Sequence, residues 1–225
     1  MAEIDLKAKE IKHTLVLDLG FRDYKEVWDL QRDLVDKRKK GEIPDVLILV
    51  EHPHVITLGR KAKLENVLTD KLPIYRIERG GDVTYHGPGQ LIGYIILDLE
   101  DSKLDVYNFV RRLEDVLIKT VSEFGIDAER CEGHAGVWVK GRKLASIGIA
   151  IDHWVTYHGF ALNVNTDLDY FTILKPCGLD GRVMTSMEKI LGKRVKMEDV
   201  KERLKLNFSK IFCRILIPFD DFNLK

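Results

Sequence analysis

The chain has 225 residues, with lysine plus arginine and aspartate plus glutamate balanced at 36 each. That balance leaves no overall charge with which to seek nucleic acid or an acidic membrane. A charged fraction of 32% beside 45% hydrophobic residues describes a globular protein with enough apolar sequence for a substantial core. Three cysteines, an odd number, argue against a disulfide framework and for a reducing compartment. No apolar run reaches membrane-spanning length, and residues 1–5 carry acids rather than a signal-peptide core, so the cytoplasm is expected.

In chain order, residues 15–19 read as a short strand closed by Gly20. From Asp23 to Lys40 the apolar positions Tyr24, Val27, Leu30 and Leu34 recur at helical spacing, and Gly41 supplies the stop. Val46-Leu47-Ile48-Leu49-Val50 is a continuous apolar run, the pattern of a strand buried on both faces. Glu51-His52-Pro53-His54 interrupts it. Residues 55–58 resume extended character, residues 61–71 read as an exposed polar loop, and residues 74–77 are extended again. Then comes Arg79-Gly80-Gly81-Asp82-Val83-Thr84-Tyr85-His86-Gly87-Pro88-Gly89-Gln90. Its glycines suit neither a helix nor a strand interior, so it reads as one shaped loop whose backbone can approach a ligand closely.

Residues 91–97 follow as an apolar strand. Asp105 caps the clearest helix, in which Val106, Phe109, Val110, Leu113, Val116, Leu117, Val121 and Phe124 form one stripe before Gly125. Residues 136–139 and 144–151 face each other as a hairpin across Lys140-Gly141-Arg142. Residues 159–164 add a strand, and residues 197–212 a helix with Met197, Val200, Leu204, Phe208 and Ile211 on one side. Strands in groups with helices between them predict an α+β fold, its mixed or antiparallel central sheet flanked by helices. Residues 1–225 read as a single domain, with a small C-terminal helical subdomain from about Met187.

No phosphate-binding loop, dinucleotide fingerprint, nucleophile elbow or paired-histidine zinc helix occurs. His52 and His54 alternate on an extended segment and face opposite ways, which suits hydrogen-bonding histidines better than a metal site; no metal is expected. Cys213 sits in an apolar run and reads as buried filler. Cys131 could pair with His134 if the loop between them folds back. In Lys175-Pro176-Cys177-Gly178-Leu179, proline fixes the approach to Cys177, and glycine leaves its sulfur and an adjoining N–H open. That is a sensible mounting for a nucleophile. A free thiol titrates near about 8.5 and needs help to ionise at neutral pH. Lys143, where the hairpin enters its second strand, is the candidate helper. Period-two counting puts it on the face of Ala145, Ile147 and Ile149, where partial desolvation favours the neutral amine. On residue types alone, both Cys177 and Cys131 stay open as the nucleophile.

Together these blocks resemble the lipoyl(octanoyl) transferase family, within the biotin/lipoate protein ligase fold. The resemblance runs from about Leu47 to Glu188. It rests on Glu51-His52-Pro53 with Thr57-Leu58-Gly59-Arg60, on the glycine stretch at 79–90, and on Gly141-Arg142-Lys143-Leu144-Ala145-Ser146-Ile147-Gly148. His158-Gly159-Phe160-Ala161-Leu162-Asn163-Val164 and Pro176-Cys177-Gly178 complete it. It implies an acyltransferase that carries an octanoyl or lipoyl group from acyl carrier protein to a lysine of lipoyl domains, with no cofactor and no ATP. The implied acceptors are 2-oxoacid dehydrogenase complexes and the glycine cleavage H protein. By the resemblance Cys177 carries the acyl thioester and Lys143 lowers its pKa. Substrate contacts fall on Arg79, Gly80, Gly81, Asp82, Val83, Thr84, Tyr85 and His86, on Ser146, Ile147 and Gly148, and on Gly159, Phe160 and Ala161. Small residues at Gly80, Gly81, Ala145, Gly148 and Ala161 would leave a slot for the acyl chain, and Arg60, Lys61 and Lys63 are candidates for a basic rim that docks acidic carriers. A monomer without nucleic-acid or membrane partners is expected. An ATP-dependent lipoate or biotin protein ligase shares the fold but has no use for a thiol nucleophile, so the Pro-Cys-Gly block weighs against it. A non-catalytic carrier-binding module is the second alternative.

Overall fold

The computed structural model describes residues 12–174 and 181–219. The apolar run at 46–50 lies in β2 (Asp45–Glu51), buried in all but its last residue. Val46, Ile48 and Val50 enter one core and Leu47 and Leu49 the other, as a period of two requires of a strand covered on both faces. β1 (Lys12–Phe21) precedes it, α1 (Tyr24–Lys39) crosses over, and β1 runs parallel to β2. Asp23 caps α1 by accepting from the backbone N–H groups of Lys25 and Glu26. Tyr24, Val27, Leu34 and Val35 of α1 then pack on the Val46 face.

β6 (Gln90–Ile96) is buried throughout and lies antiparallel to β2. It divides in the same way, with Ile92, Tyr94 and Ile96 toward α1 and Leu91 and Ile95 toward the opposite layer. That layer is α2 (Val106–Ser122) and, after the short α3 (Met187–Leu191), α4 (Met197–Phe212). Phe109, Leu113 and Val116 of α2 meet Val200, Leu204 and Phe208 of α4 in one cluster. Beyond β6 the sheet continues antiparallel through β10 (Val155–Asn163), β9 (Arg142–Asp152), β8 (His134–Val139) and β7 (Glu129–Cys131). At the other edge β11 (Arg214–Pro218) pairs parallel with β1. A second sheet orders β4 (Ile74–Arg76), β3 (Val55–Leu58) and β5 (Val83–His86), with a core of its own around Ile56, Tyr85, Phe171 and Leu174.

The mixed sheet flanked by helices is the expected architecture. Several local expectations fail, each for a physical reason. Residues 79–90 are not one loop, because Val83 and Tyr85 alternate into the small core and β5 pairs with β3. Cys213 is exposed rather than filler: it caps the C-terminus of α4 with φ 53°, where the chain turns into β11. The hairpin turn is only Lys140-Gly141, at φ 48° and 73°, the left-handed pair that a two-residue connection demands. Period-two counting along β9 breaks at Leu144. Val137 pairs with Ala145 but Trp138 pairs with Lys143, so Leu144 is an extra residue, a bulge. Leu144 and Ala145 both enter the core, and Lys143 shares a face with Ser146 and Gly148 instead of Ala145 and Ile147. Among the described residues no helix is long and apolar enough to cross a membrane.

Candidate active site

The β9–β10 pairing sets Ser146 against Ala161 and Gly148 against Gly159, a stretch with almost no side chain above the sheet. The ribbon Arg79-Gly80-Gly81 lies across it. Gly80 N–H donates to Ile149 O at 2.8 Å, while Arg60 and Lys61 donate their backbone N–H groups to Arg79 O and Gly81 O, each at 3.0 Å. The buried Arg79 guanidinium donates to Thr57 O at 2.8 Å, Thr57 Oγ1 at 3.0 Å and Gly80 O at 3.0 Å. A Cβ on Gly148 would stand 3.3 Å from both Arg79 Cδ and Gly80 O, a tight contact that would push the ribbon back by a few tenths of an ångström.

Between ribbon and sheet is a narrow cavity of about 70 Å³. Of the residues implied by the resemblance, Lys143, Arg79, Gly80, Gly81, Val83, Thr84, His86, Ser146, Ile147, Gly148, Gly159, Phe160 and Ala161 line it. Asp82 and Tyr85 do not. The Asp82 carboxylate turns to Asn66 Nδ2 at 2.7 Å and to Val83 N–H at 2.7 Å, fixing the ribbon from outside. Tyr85 is fully buried in the small core, with its Oη 2.8 Å from His54 Nδ1. Ala145 faces the helices, not the slot.

The bulge at Leu144 aims Lys143 into this cavity, where it is 8% exposed. Its ammonium lies 5.3 Å from the Trp138 ring centre. Its Cε would be 3.0 Å from a Cβ on Gly136, which pairs with Ser146, so the side chain runs back along β9 to the level of Ser146. Met184 bridges Lys143 in parallel, and Thr185 N–H donates to Lys143 O at 2.9 Å. The turn at Gly181–Val183 is thereby strapped beside the lysine. Cys177 lies outside the described residues. Cys131 does stand opposite His134 in the β7–β8 hairpin, but its Sγ approaches Glu132 O at 3.8 Å and the His134 ring packs on Trp138; neither residue lines the cavity.

Tyr24, Ile77, Tyr94, His158, Val183 and Met184 also line the slot and were not anticipated. Tyr94 and His158 could have been suspected as polar-tipped residues within otherwise apolar strands; Tyr24 reads simply as a core position of α1. Behind them lies a buried histidine cluster. His52 Nδ1–H donates to Arg22 O at 2.8 Å, which leaves Nε2 to accept from Tyr94 O–H at 2.9 Å. His86 Nδ1–H donates to Gln90 Oε1 at 2.9 Å, and Gln90 Nε2 donates onward to Asn163 Oδ1 at 2.9 Å. Burial pushes His52 down to about 4 and His86 down to about 3, His52 itself being the next cause for His86. Both are neutral, hydrogen-bonding histidines. His54 instead stacks on Tyr170, with ring centres 4.2 Å apart. Among the described residues no group of three or more His, Cys, Asp or Glu is placed to hold a metal ion.

This mixed sheet and roofed slot place the chain in the lipoate and biotin protein ligase fold. A lipoate-protein ligase A solved with bound ATP superposes with a TM-score of 0.73 at 17% identity, over 92% of this chain and 89% of that one. The biotin protein ligase of Aquifex aeolicus superposes with a TM-score of 0.53 at 12% identity, over 95% of this chain and 72% of that one. Residues 23–209 match the lipoyl protein ligase A/B catalytic domain, and the chain belongs to that family. Within it, the chain is 46% identical over 215 residues to the octanoyltransferase of Solibacter usitatus, covering 92% of this chain and 97% of that protein. It is 42% identical over 225 residues to the octanoyltransferase of Christiangramia forsetii, covering 89% of this chain and 96% of that protein.

Proposed function

We propose that the chain transfers an octanoyl group from acyl carrier protein to a lysine of lipoyl domains, by way of a thioester on Cys177. Octanoyl transfer in protein lipoylation is its activity, and near-full-length identity of 46% with an octanoyltransferase is the observation that carries this reading. Carriers and lipoyl domains are its substrates in general terms. Acyl carrier protein as donor, and 2-oxoacid dehydrogenase complexes and the glycine cleavage H protein as acceptors, are our finer assignment. A monomer working in the reducing cytoplasm suits a thiol nucleophile.

In the first step the Cys177 thiolate attacks the donor thioester carbonyl. A new C–S bond forms, the carrier's thiolate leaves, and that thiolate takes from Lys143 the proton that Lys143 had removed from Cys177, which leaves Lys143 a neutral amine again. In the second step the acceptor lysine amine attacks, an amide C–N bond forms, and the Cys177 thiolate is released. Lys143 takes the thiol proton first and the amine proton later. Neither step needs a nucleotide, because thioester exchange is nearly balanced and amide formation runs downhill. Support for pairing Cys177 with Lys143 comes from connectivity. Gly181 follows Cys177 by four positions, a reach of at most about 14 Å, and the bridge at Met184 ties that end of the segment to Lys143.

The test is incubation with octanoyl-acyl carrier protein and a lipoyl domain in the absence of ATP. Octanoylated domain is the expected product, and a strict ATP requirement would reverse the choice toward a ligase. Cys177→Ser should abolish transfer while carrier binding survives, which also separates the enzyme from a mere binding module. An octanoyl mass adduct that persists in Cys177→Ala moves the nucleophile elsewhere. Lys143→Arg keeps the charge but removes the usable base, so turnover should fall by about a hundredfold or more; unchanged turnover removes Lys143 from the mechanism.

A further inference from the structure

The slot has two ends of different character. At one end is the Lys143 ammonium, level with Ser146. At the other is His158, whose register partner on β9 is Ile149, three residues further along. Three strand residues span about 10 Å. An eight-carbon chain, advancing about 1.3 Å for each C–C bond of about 1.5 Å, spans about 9 Å. Its last carbon therefore arrives at the His158 ring.

That ring is unusual. His158 is 2% exposed and holds φ 57° inside a strand, a left-handed conformation that histidine tolerates better than most residues. Its backbone N–H donates to Gln31 Oε1 at 2.9 Å, and its ring packs edge-on to Tyr94. Neither ring nitrogen has a hydrogen-bond partner among the described residues. The nearest candidate is Glu78 Oε2, 3.7 Å from Nε2 and beyond hydrogen-bond length. Glu78 already accepts from Trp28 Nε1 at 3.1 Å and Arg32 Nη2 at 3.0 Å. Buried polar atoms left without partners are costly, so a ring set this way beside a slot calls for a hydrogen-bonding occupant.

We propose that His158 is the specificity-determining end stop of the acyl slot: it holds a water, or a polar atom at the tip of the acyl chain, and so limits a wholly apolar chain to about eight carbons. The inference rests on the octanoyl-transfer reading. An octanoyl chain ends against the held water. A decanoyl chain must expel that water and lay methylenes on the ring nitrogens, leaving them dry. A chain tipped with hydroxyl replaces the water instead.

The experiment compares kcat/KM for transfer from carrier-bound thioesters by the full chain. The pair 8-hydroxyoctanoyl and nonanoyl differ little in length, and only the first can bond to His158. The unaltered protein should prefer 8-hydroxyoctanoyl by about fivefold or more and octanoyl over decanoyl by about tenfold or more. His158→Leu, similar in bulk but without nitrogens, should abolish the hydroxyl preference and narrow the decanoyl gap to about threefold or less. His158→Asn is smaller, polar and at ease with positive φ, and should keep the hydroxyl preference. Equal rates for 8-hydroxyoctanoyl and nonanoyl in the unaltered protein overturn the proposal, and this arm needs no variant to fold. Relaxation toward decanoyl in His158→Asn but not in His158→Leu marks a purely steric wall and overturns it as well. Ratios measured on one preparation cancel any loss of folded protein. A protein that transfers octanoyl without these preferences refutes the end stop alone, whereas one that transfers no acyl group refutes the activity and the end stop with it.

Discussion

Acid should loosen this fold well above the range in which its carboxylates protonate. His52 and His86 are held neutral, with pKa values down at about 4 and about 3 against 6.5 for a free imidazole, chiefly because burial penalises their charge. The remaining influences face them from several elements. The bond to Arg22 O and then Asp23 pull His52 upward, and Gln90 does the same for His86, while His52, Arg79 and His158 push His86 further down. A histidine whose folded pKa is lowered costs nothing above pH 6.5, where both states are neutral. Below it the unfolded chain binds a proton that the folded chain refuses, so stability falls as pH falls. Between 6.5 and 5 that is one proton over 1.5 pH units, about 2 kcal/mol for each histidine and about 4 kcal/mol for the pair. His158, also lowered by burial, adds in the same direction. The assay is urea unfolding at pH 7 and pH 5, where the midpoint should drop at constant m-value. In His52→Gln, which cannot titrate, the acid-induced loss should shrink by about 2 kcal/mol. A loss below about 1 kcal/mol in the unaltered protein, or an undiminished loss in His52→Gln, would refute the reasoning.

Three further outcomes follow from packing. Asp45, 3% exposed, meets Arg38 Nε and Arg214 Nη2 at 2.9 Å each, so Asp45→Ala takes the buried carboxylate from Arg214, which keeps the Ser102 hydroxyl, while Arg38 keeps Asp101 and Asp98. Urea unfolding should show a cost of about 3–5 kcal/mol. Asp105→Ala removes the 2.7 Å bond from Asn108 N–H that caps α2, and thermal unfolding should register a loss of about 1 kcal/mol. Gly148→Val drives side-chain carbons against Arg79 Cδ and Gly80 O, each already 3.3 Å from a Cβ there. Octanoyl transfer should fall about tenfold or more, with stability changed by about 1–3 kcal/mol at most.

The parts of this molecule that the sequence announces are those whose signal is redundant. The run at 46–50 is apolar at every position, and both readings of it, strand and two-sided burial, rest on the same five side chains. Likewise α2 and α4 carry stripes several turns long. The parts it conceals are single insertions and short edges. One extra residue at Leu144 reverses the face on which Lys143 sits, yet no local pattern distinguishes a bulge from regular alternation. β5 was hidden because the glycines flanking Val83–His86 speak louder than two alternating apolar residues. β7 is only three residues long, and β11, five residues long, earns its pairing from β1 at the far end of the chain.

The same division runs through the slot, and it explains why its two ends were unequally legible. The Lys143 end is written in consecutive residues, since Gly141 to Gly148 form one contiguous block that carries part of the resemblance. The far end is assembled by register alone. Tyr94 reaches it because β6 sets Tyr94 against Gly159, His158 because β10 sets it against Ile149, and Tyr24 because α1 lies over both. Each of these residues, read singly, is an ordinary buried aromatic or histidine. Chemistry that acts on one atom can be encoded locally, beside that atom. Recognition of a chain about 9 Å long cannot, because the wall that stops it stands three strand residues away, on other elements.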